Sequence, residues 1–371
     1  MDIMLTNPVN NKKIRRPVVW CLVFSFLLIS CSDIKKDPLP VSIQWQNNRA
    51  VSMTIPRELL QGVAKDSVEQ LLHIQLENTN TPVLGEYIIT DEAVVFRPLV
   101  AFTRGLNYEV WFSGKLLNKV VIPSGSTHDA PKIVAVYPTS DTVPLNLLKI
   151  YIVFSKPMQE GQSLNNITVI KNQRDTVPSV FLDLELWNNE RTIHTLWLDP
   201  GRIKRDLQPN KTMGAPLQQG ESYQVIIKQD WRDVEGVSLA SEYQRDFVVG
   251  LRDSLSPDAE SWTIHTPKAG GHERLKIDLH ESLDYVLLKN TVRVVDKTGK
   301  VINGVIETAA EETILYFTPS GEWSPGDYTL EIESRLEDLA GNNLNRLFDK
   351  DLTRQSKKAT KEIYKRSFRV Q

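Results

Sequence analysis

Leu315-Tyr316-Phe317-Thr318-Pro319, followed by Gly326-Asp327-Tyr328-Thr329-Leu330-Glu331-Ile332, reads as one strand, a turn and a second strand. Proline has no N–H to give to a ladder, so it closes the first strand. Glycine permits the turn, and tyrosine opens a segment of period two. The block occurs twice more. Val94-Val95-Phe96-Arg97-Pro98 precedes Gly105-Leu106-Asn107-Tyr108-Glu109-Val110-Trp111. Leu196-Trp197-Leu198-Asp199-Pro200 precedes Gly220-Glu221-Ser222-Tyr223-Gln224-Val225-Ile226. Trp197 is read together with Phe96 and Phe317 as a core residue.

The last two copies share a second element. Trp231-Arg232-Asp233-Val234-Glu235-Gly236 parallels Leu336-Glu337-Asp338-Leu339-Ala340-Gly341. Asp and Gly three apart suit a turn held by the Asp side chain, with glycine at positive φ. Alternating strands open the copies: Ala50–Ile55, Lys149–Phe154 and Leu275–Leu279. Polar, turn-rich segments near 124–128 and 252–257 mark the boundaries. The expected division is 41–125, 126–251 and 252–371. Units of this size with many short strands predict an all-β chain of tandem immunoglobulin-like β-sandwiches.

Phe154-Ser155-Lys156-Pro157-Met158, with Val143-Pro144-Leu145-Asn146 before it, resembles the strand-and-turn of bacterial Ig-like domains in S-layer and other envelope proteins. The resemblance covers most of the second copy. It covers the third through Asp338, Gly341 and Asn342, where Leu279-His280-Glu281-Ser282-Leu283 replaces the Phe-Ser-x-Pro-Met segment. It is weak in the first. The resemblance implies a fold and an envelope setting, and brings no catalytic residues.

The N-terminus reads as an address. Lys12, Lys13, Arg15 and Arg16 precede an apolar run from Val18 to Ile29, which is too short to span a bilayer as a helix. Leu28-Ile29-Ser30-Cys31 resembles a bacterial lipobox. The resemblance implies a lipoprotein signal peptide over 1–30, lipidation of Cys31 and a tether over 31–40. Multiple acyl chains anchor stably where one does not. Ser32 in place of an Asp favours delivery to the outer membrane, facing either the periplasm or the exterior. The expected partners are therefore the membrane, through its lipid anchor, and an envelope protein or glycan.

Little in the chain suggests chemistry. Among 371 residues, 44 are Lys or Arg and 46 are Asp or Glu, a net charge of -2. That balance argues against nucleic acid. Two cysteines allow no disulfide framework or cysteine-rich zinc site. No nucleophile elbow, P-loop or HExxH is present. The expectation is a non-enzyme with no catalytic residue, metal or cofactor. Asp183 and Glu185 alternate within Phe181–Trp187 and read as a strand's solvated face, as do Glu331 and Glu333. Asp338 and Asn342 supply too few oxygens for Ca²⁺, and read as an Asx turn. Lys357, Lys358, Lys361, Lys365 and Arg366 form a basic stretch, read as a solvated strand or loop.

Candidate ligand contacts are Arg202, Lys204 and Arg205, in a basic insertion between Pro200 and Gly220, and Trp262 and Trp323 as sugar-stacking platforms. Trp45, Trp187 and Trp231 are weaker platforms. Asp-Ser/Thr-aliphatic triplets make Ser67, Thr142, Thr176 and Ser254 candidate O-glycosylation positions. The function expected is a non-catalytic envelope scaffold, spacer or binding module. The alternatives are a surface glycan-binding lipoprotein of a polysaccharide-uptake system and an accessory subunit of an envelope complex.

Overall fold

Twenty-three short strands run through the described residues. The computed structural model describes residues 40–349 and 360–371, Gln61 excepted. The signal segment, Cys31, the tether before Pro40, Lys357 and Lys358 lie outside the described residues. The first seven strands are β1 (Ser42–Gln46), β2 (Arg49–Pro56), β3 (Leu72–Leu76), β4 (Gly85–Ile89), β5 (Ala93–Pro98), β6 (Asn107–Phe112) and β7 (Lys115–Val121). They form two sheets, β1-β2-β5-β4 and β3-β6-β7. One core fills the space between them, from Ala50 and Met53 through Phe96 to Ile122.

The next nine are β8 (Ile133–Tyr137), β9 (Thr142–Val143), β10 (Lys149–Phe154), β11 (Ile167–Lys171), β12 (Asp175–Thr176), β13 (Leu186–Trp187), β14 (Ile193–Trp197), β15 (Ser222–Ile227) and β16 (Tyr243–Val249). Their sheets run β13-β14-β10-β8 and β12-β11-β15-β16-β9. The last seven are β17 (Thr263–His265), β18 (Leu275–Asp278), β19 (Val292–Asp296), β20 (Gly304–Ala309), β21 (Ile314–Pro319), β22 (Gly326–Glu333) and β23 (Ile363–Val370). They make β17-β18-β21-β20 and β19-β22-β23. Each pair of sheets encloses its own core, of residues 136–249 and 259–370. The architecture is all-β, in Ig-like sandwiches. Alternation decides it: β15 and β21 bury every second residue, which is what a sheet with one core face requires.

The repeated tyrosine has a defined task. The Tyr108 hydroxyl accepts from the Thr103 amide at 2.9 Å, and Tyr223 accepts from Gln218 at 3.1 Å. Tyr328 donates to the Ser324 carbonyl at 3.0 Å. Each ties the strand opening back to the loop before it, as in a tyrosine corner.

Two sequence expectations need correction. Counted back from the proline, Leu198 would match Phe96 and Phe317, but the second copy is displaced by two residues. Met53 faces Phe96, Leu275 faces Phe317, and Ile150 faces Leu196. Leu196, not Trp197, therefore stands with Phe96 and Phe317. Trp197 is half-buried beside the core. Pro200 does not close β14 but opens the helical turn Pro200–Ile203, where its missing N–H costs nothing. Phe181–Trp187 is also not a continuous strand. Only Leu186–Trp187 pairs regularly, and Leu184 is exposed. Glu185 accepts from the backbone amides of Gly161 and Ser163, so it anchors a neighbouring loop.

Substituting Tyr223→Phe leaves the Gln218 amide without its acceptor. Urea unfolding followed by tryptophan fluorescence should show a loss of about 1 kcal/mol.

Candidate functional site

Ligand contacts expected from the sequence are mostly occupied within the fold. Trp262 and Trp323 are each 2% exposed, so neither ring offers a face to a sugar. The Trp323 indole donates to the Glu273 carbonyl at 2.7 Å, and its ring stands edge-on to Phe317 and Tyr328. Trp231 is wholly buried against Phe154, Trp187 and His194. His194 is neutral there, because burial lowers its pKa to about 4. Trp45 keeps an exposed ring, with the Arg104 guanidinium 5.2 Å from its centre.

The basic insertion is a strap between sandwiches. Arg202 is buried and donates to the carbonyls of Ser179, Gly214 and Ala215, at 2.7, 3.1 and 3.2 Å. Lys204 lies 4.4 Å over the Phe348 ring. Arg205 and Arg252 both reach Asp349, at 3.0 and 3.2 Å. Arg202 and Lys204 are thus packing residues rather than ligand contacts. Arg205 is exposed but ion-paired. Of the candidate glycosylation positions, Thr142, Thr176 and Ser254 are exposed, and Ser67 is half-buried before a helical turn. In the basic C-terminal stretch, Lys365 pairs with Glu331, and Arg366 donates to the carbonyls of Glu260 and Trp262. Glu331 is buried between Lys365 and Arg293, not on a solvated face.

Two places at the junctions stand out. The first is a groove of about 990 Å³ between the first and second sandwiches. One wall is the β1–β2 hairpin tip and the loop after β5. The other is Gln159–Gln162, Arg191 and the Arg232–Glu235 turn. Asn47 and Asn48 take φ of 48° and 63°, which gives the tight hairpin turn its hand. The Asn-Asn pair between alternating strands was a readable signal. The groove was not, because its walls come from segments far apart in sequence.

The second place is the junction of the second and third sandwiches. Tyr137 stacks on Tyr285, with centroids 3.5 Å apart. Lys149 lies between Asp284 (3.2 Å) and Glu337 (2.6 Å), and the Tyr151 hydroxyl donates to Asp284 at 2.7 Å. The buried Glu312 carboxylate accepts from the Thr139 amide and hydroxyl, at 2.9 and 2.7 Å.

Beside this contact, Asp253, Glu281 and Asp338 bring carboxylate oxygens within 4.8 Å of one another. Asp338 holds the expected Asx turn, accepting from the amides of Ala340 and Asn342 and from the Asn342 side chain. Those bonds engage both Asp338 oxygens, and the four left on Asp253 and Glu281 fall short of the six to eight oxygens Ca²⁺ takes. The second sandwich shows what is unusual here. Met158 bridges to Asp233 as Leu283 bridges to Asp338, so Lys156 occupies the place of Glu281. Lys156 meets Asp129, on the preceding linker, at 2.5 Å. The third sandwich has a carboxylate where the second has an ammonium.

Burial, then the charge of Asp253, raises Glu281 from 4.5 to about 7. Burial, with Asp253 adding to it, raises Asp338 from 3.8 to about 7. Both hold protons more tightly folded than unfolded, so the stability they contribute is full below their unfolded values and is lost as pH rises through about 7. The melting temperature of the third sandwich should fall between pH 5 and pH 8. Glu281→Lys, which restores the arrangement of the second sandwich, should flatten that slope. It should also raise the pH 8 midpoint by about 2–4 °C, read by scanning calorimetry.

No protein-family model matches the chain, and no curated protein does. Similar solved structures include the N-terminal part of the bacterial S-layer protein SbsC, at 12% identity and TM-score 0.22 over 59% of this chain. This chain covers 43% of that fragment, less than half its length. The Drosophila receptor tyrosine phosphatase DLAR Ig1-2 module matches at 12% identity and TM-score 0.20, covering 56% of this chain and 93% of the module. The MG0-NIE-MG1 portion of Escherichia coli alpha-2-macroglobulin matches at 13% identity and TM-score 0.20, over 81% of this chain and 95% of that one.

Proposed function

We propose that the chain is a non-catalytic envelope lipoprotein, held in the outer membrane by lipid on Cys31, whose sandwiches act as a spacer that presents a binding surface. The locked junction between the second and third sandwiches carries this reading. A stacked tyrosine pair, a lysine between two carboxylates and a buried glutamate bonded across the contact resist bending. A spacer needs that stiffness, whereas a flexible string of modules does not. The family resemblance of Phe154–Met158 supports the envelope setting. The glycan-binding alternative has lost its expected platforms, since Trp262 and Trp323 are core residues.

Two measurements test the proposal. Cells fed an alkyne-tagged fatty acid should label the wild-type chain, which should fractionate with membranes. Cys31→Ala should lose both properties. A labelled variant, or an unlabelled soluble wild type, overturns the anchoring.

Lys149→Ala leaves the buried Asp284 and the half-buried Glu337 without their cation. Breaking a buried pair is strongly destabilising, so trypsin should cut at Arg252 faster by on the order of tenfold. An unchanged rate would mean that this contact does not hold the junction.

A further inference from the structure

We infer that the groove between the first and second sandwiches docks an extended acidic peptide segment of a partner protein, one carrying aliphatic side chains. The charge of the groove is opposite to that of the whole chain. Arg49, Arg104, Arg191 and Arg232 line it against Glu160 and Glu235, whereas the chain carries a net -2. Both acids already have partners. Glu160 lies 3.9 Å from Arg191, while Glu235 meets Arg104 at 3.8 Å and the Asn48 amide at 2.6 Å. The Arg49 side chain, exposed at the hairpin tip, has no hydrogen-bond or ion-pair partner among the described residues. The lining thus has cationic charge to spare.

The rim specifies the rest of the occupant. Leu99 and Val100 are 72% and 80% exposed, and the Leu99 amide bonds to the carbonyl of Leu84, itself 72% exposed. Three adjacent exposed aliphatics at the edge of a cationic groove fit a segment that alternates carboxylate and aliphatic side chains. A glycan would need aromatic faces, and Trp45, the exposed ring beside the groove, already carries Arg104. A volume of about 990 Å³ holds several residues of extended chain.

The walls are also set before any partner arrives. The Arg232 guanidinium donates to the Gly105 carbonyl at 2.7 Å, and Gln159 donates to the Arg104 carbonyl. Little ordering is left for binding to impose.

The test is a fluorescence-anisotropy titration of the full chain in detergent micelles. The labelled probe is an octapeptide of alternating Glu and Leu. Octapeptides of alternating Lys and Leu and of alternating Glu and Ser, and an oligogalacturonate, serve as comparators. The Glu–Leu probe should bind saturably and more tightly than all three, and should weaken as salt rises. Arg49→Glu, at a side chain the fold does not use, should weaken it about tenfold or more. The double variant Leu99→Ser, Val100→Ser should do the same, and Leu255→Ser, exposed elsewhere, should leave it unchanged. Equal binding of the Lys–Leu peptide, no saturable binding, an unaltered affinity in Arg49→Glu, or preference for the oligogalacturonate each overturns the inference. The inference goes beyond the spacer role, and its failure would leave the labelling and proteolysis results for that role standing.

Discussion

A buried aspartate that organises a turn sets both junctions. In the second sandwich one Asp233 oxygen accepts from the amides of Glu235 and Val237. This holds Gly236 at a φ of 76°, and a side chain at Gly236 would lie 2.4 Å from the Arg104 carbonyl oxygen. The first sandwich therefore seats its Arg104–Gly105 backbone directly on that turn. In the third sandwich Asp338 does the same work. Gly341 takes a φ of 79°, and a side chain there would strike Leu148. The Leu148 amide also donates to the Leu339 carbonyl at 2.9 Å. One device, used twice, makes each sandwich the seat of the one before it.

The Phe-Ser-Lys-Pro-Met segment acquires its meaning from that turn. Phe154 and Met158 are core residues, and the backbone between them backs the Asp233 turn. The Val234 amide donates to the Pro157 carbonyl, and Gln159 donates to the Arg232 carbonyl. The third sandwich keeps the frame with different side chains. Leu279 and Leu283 are buried, and Leu283 bridges to Asp338. What the frame conserves is apolar volume at its two ends and an extended backbone, not the proline or the serine.

This explains what could be read in the sequence and what could not. Period-two burial, the tyrosine that opens a strand and the Asp-to-Gly turn are local, and each has a cause within a few residues. The two-residue displacement of β14 was hidden because a proline suits a strand end and a helix start equally well. Trp262 and Trp323 were misread because an indole fits a core and a sugar site alike. Its surroundings decide, and those come from strands far away. The insertion at Arg202–Arg205 looked free because its partners, Ser179, Phe348 and Asp349, lie elsewhere in the sequence. The groove is the extreme case, since neither sandwich holds more than one wall of it.

The divergence between Lys156 and Glu281 shows how a repeat can keep its fold and change its electrostatics. Both positions sit between a linker aspartate and the turn aspartate. An ammonium there neutralises its neighbours at any ordinary pH. A carboxylate there meets two like charges, and burial with the charge of Asp253 makes Glu281 and Asp338 hold their protons more tightly. The backbone tolerates both, because the turn is held by amide hydrogen bonds to one aspartate oxygen whichever charge lies opposite. The first junction thus carries the Lys156–Asp129 ion pair, and the second the Lys149 pairs and the tyrosine stack beside the raised carboxyls of Glu281 and Asp338. Two contacts of common design therefore differ in how they respond to acid, and the difference rests on one side chain.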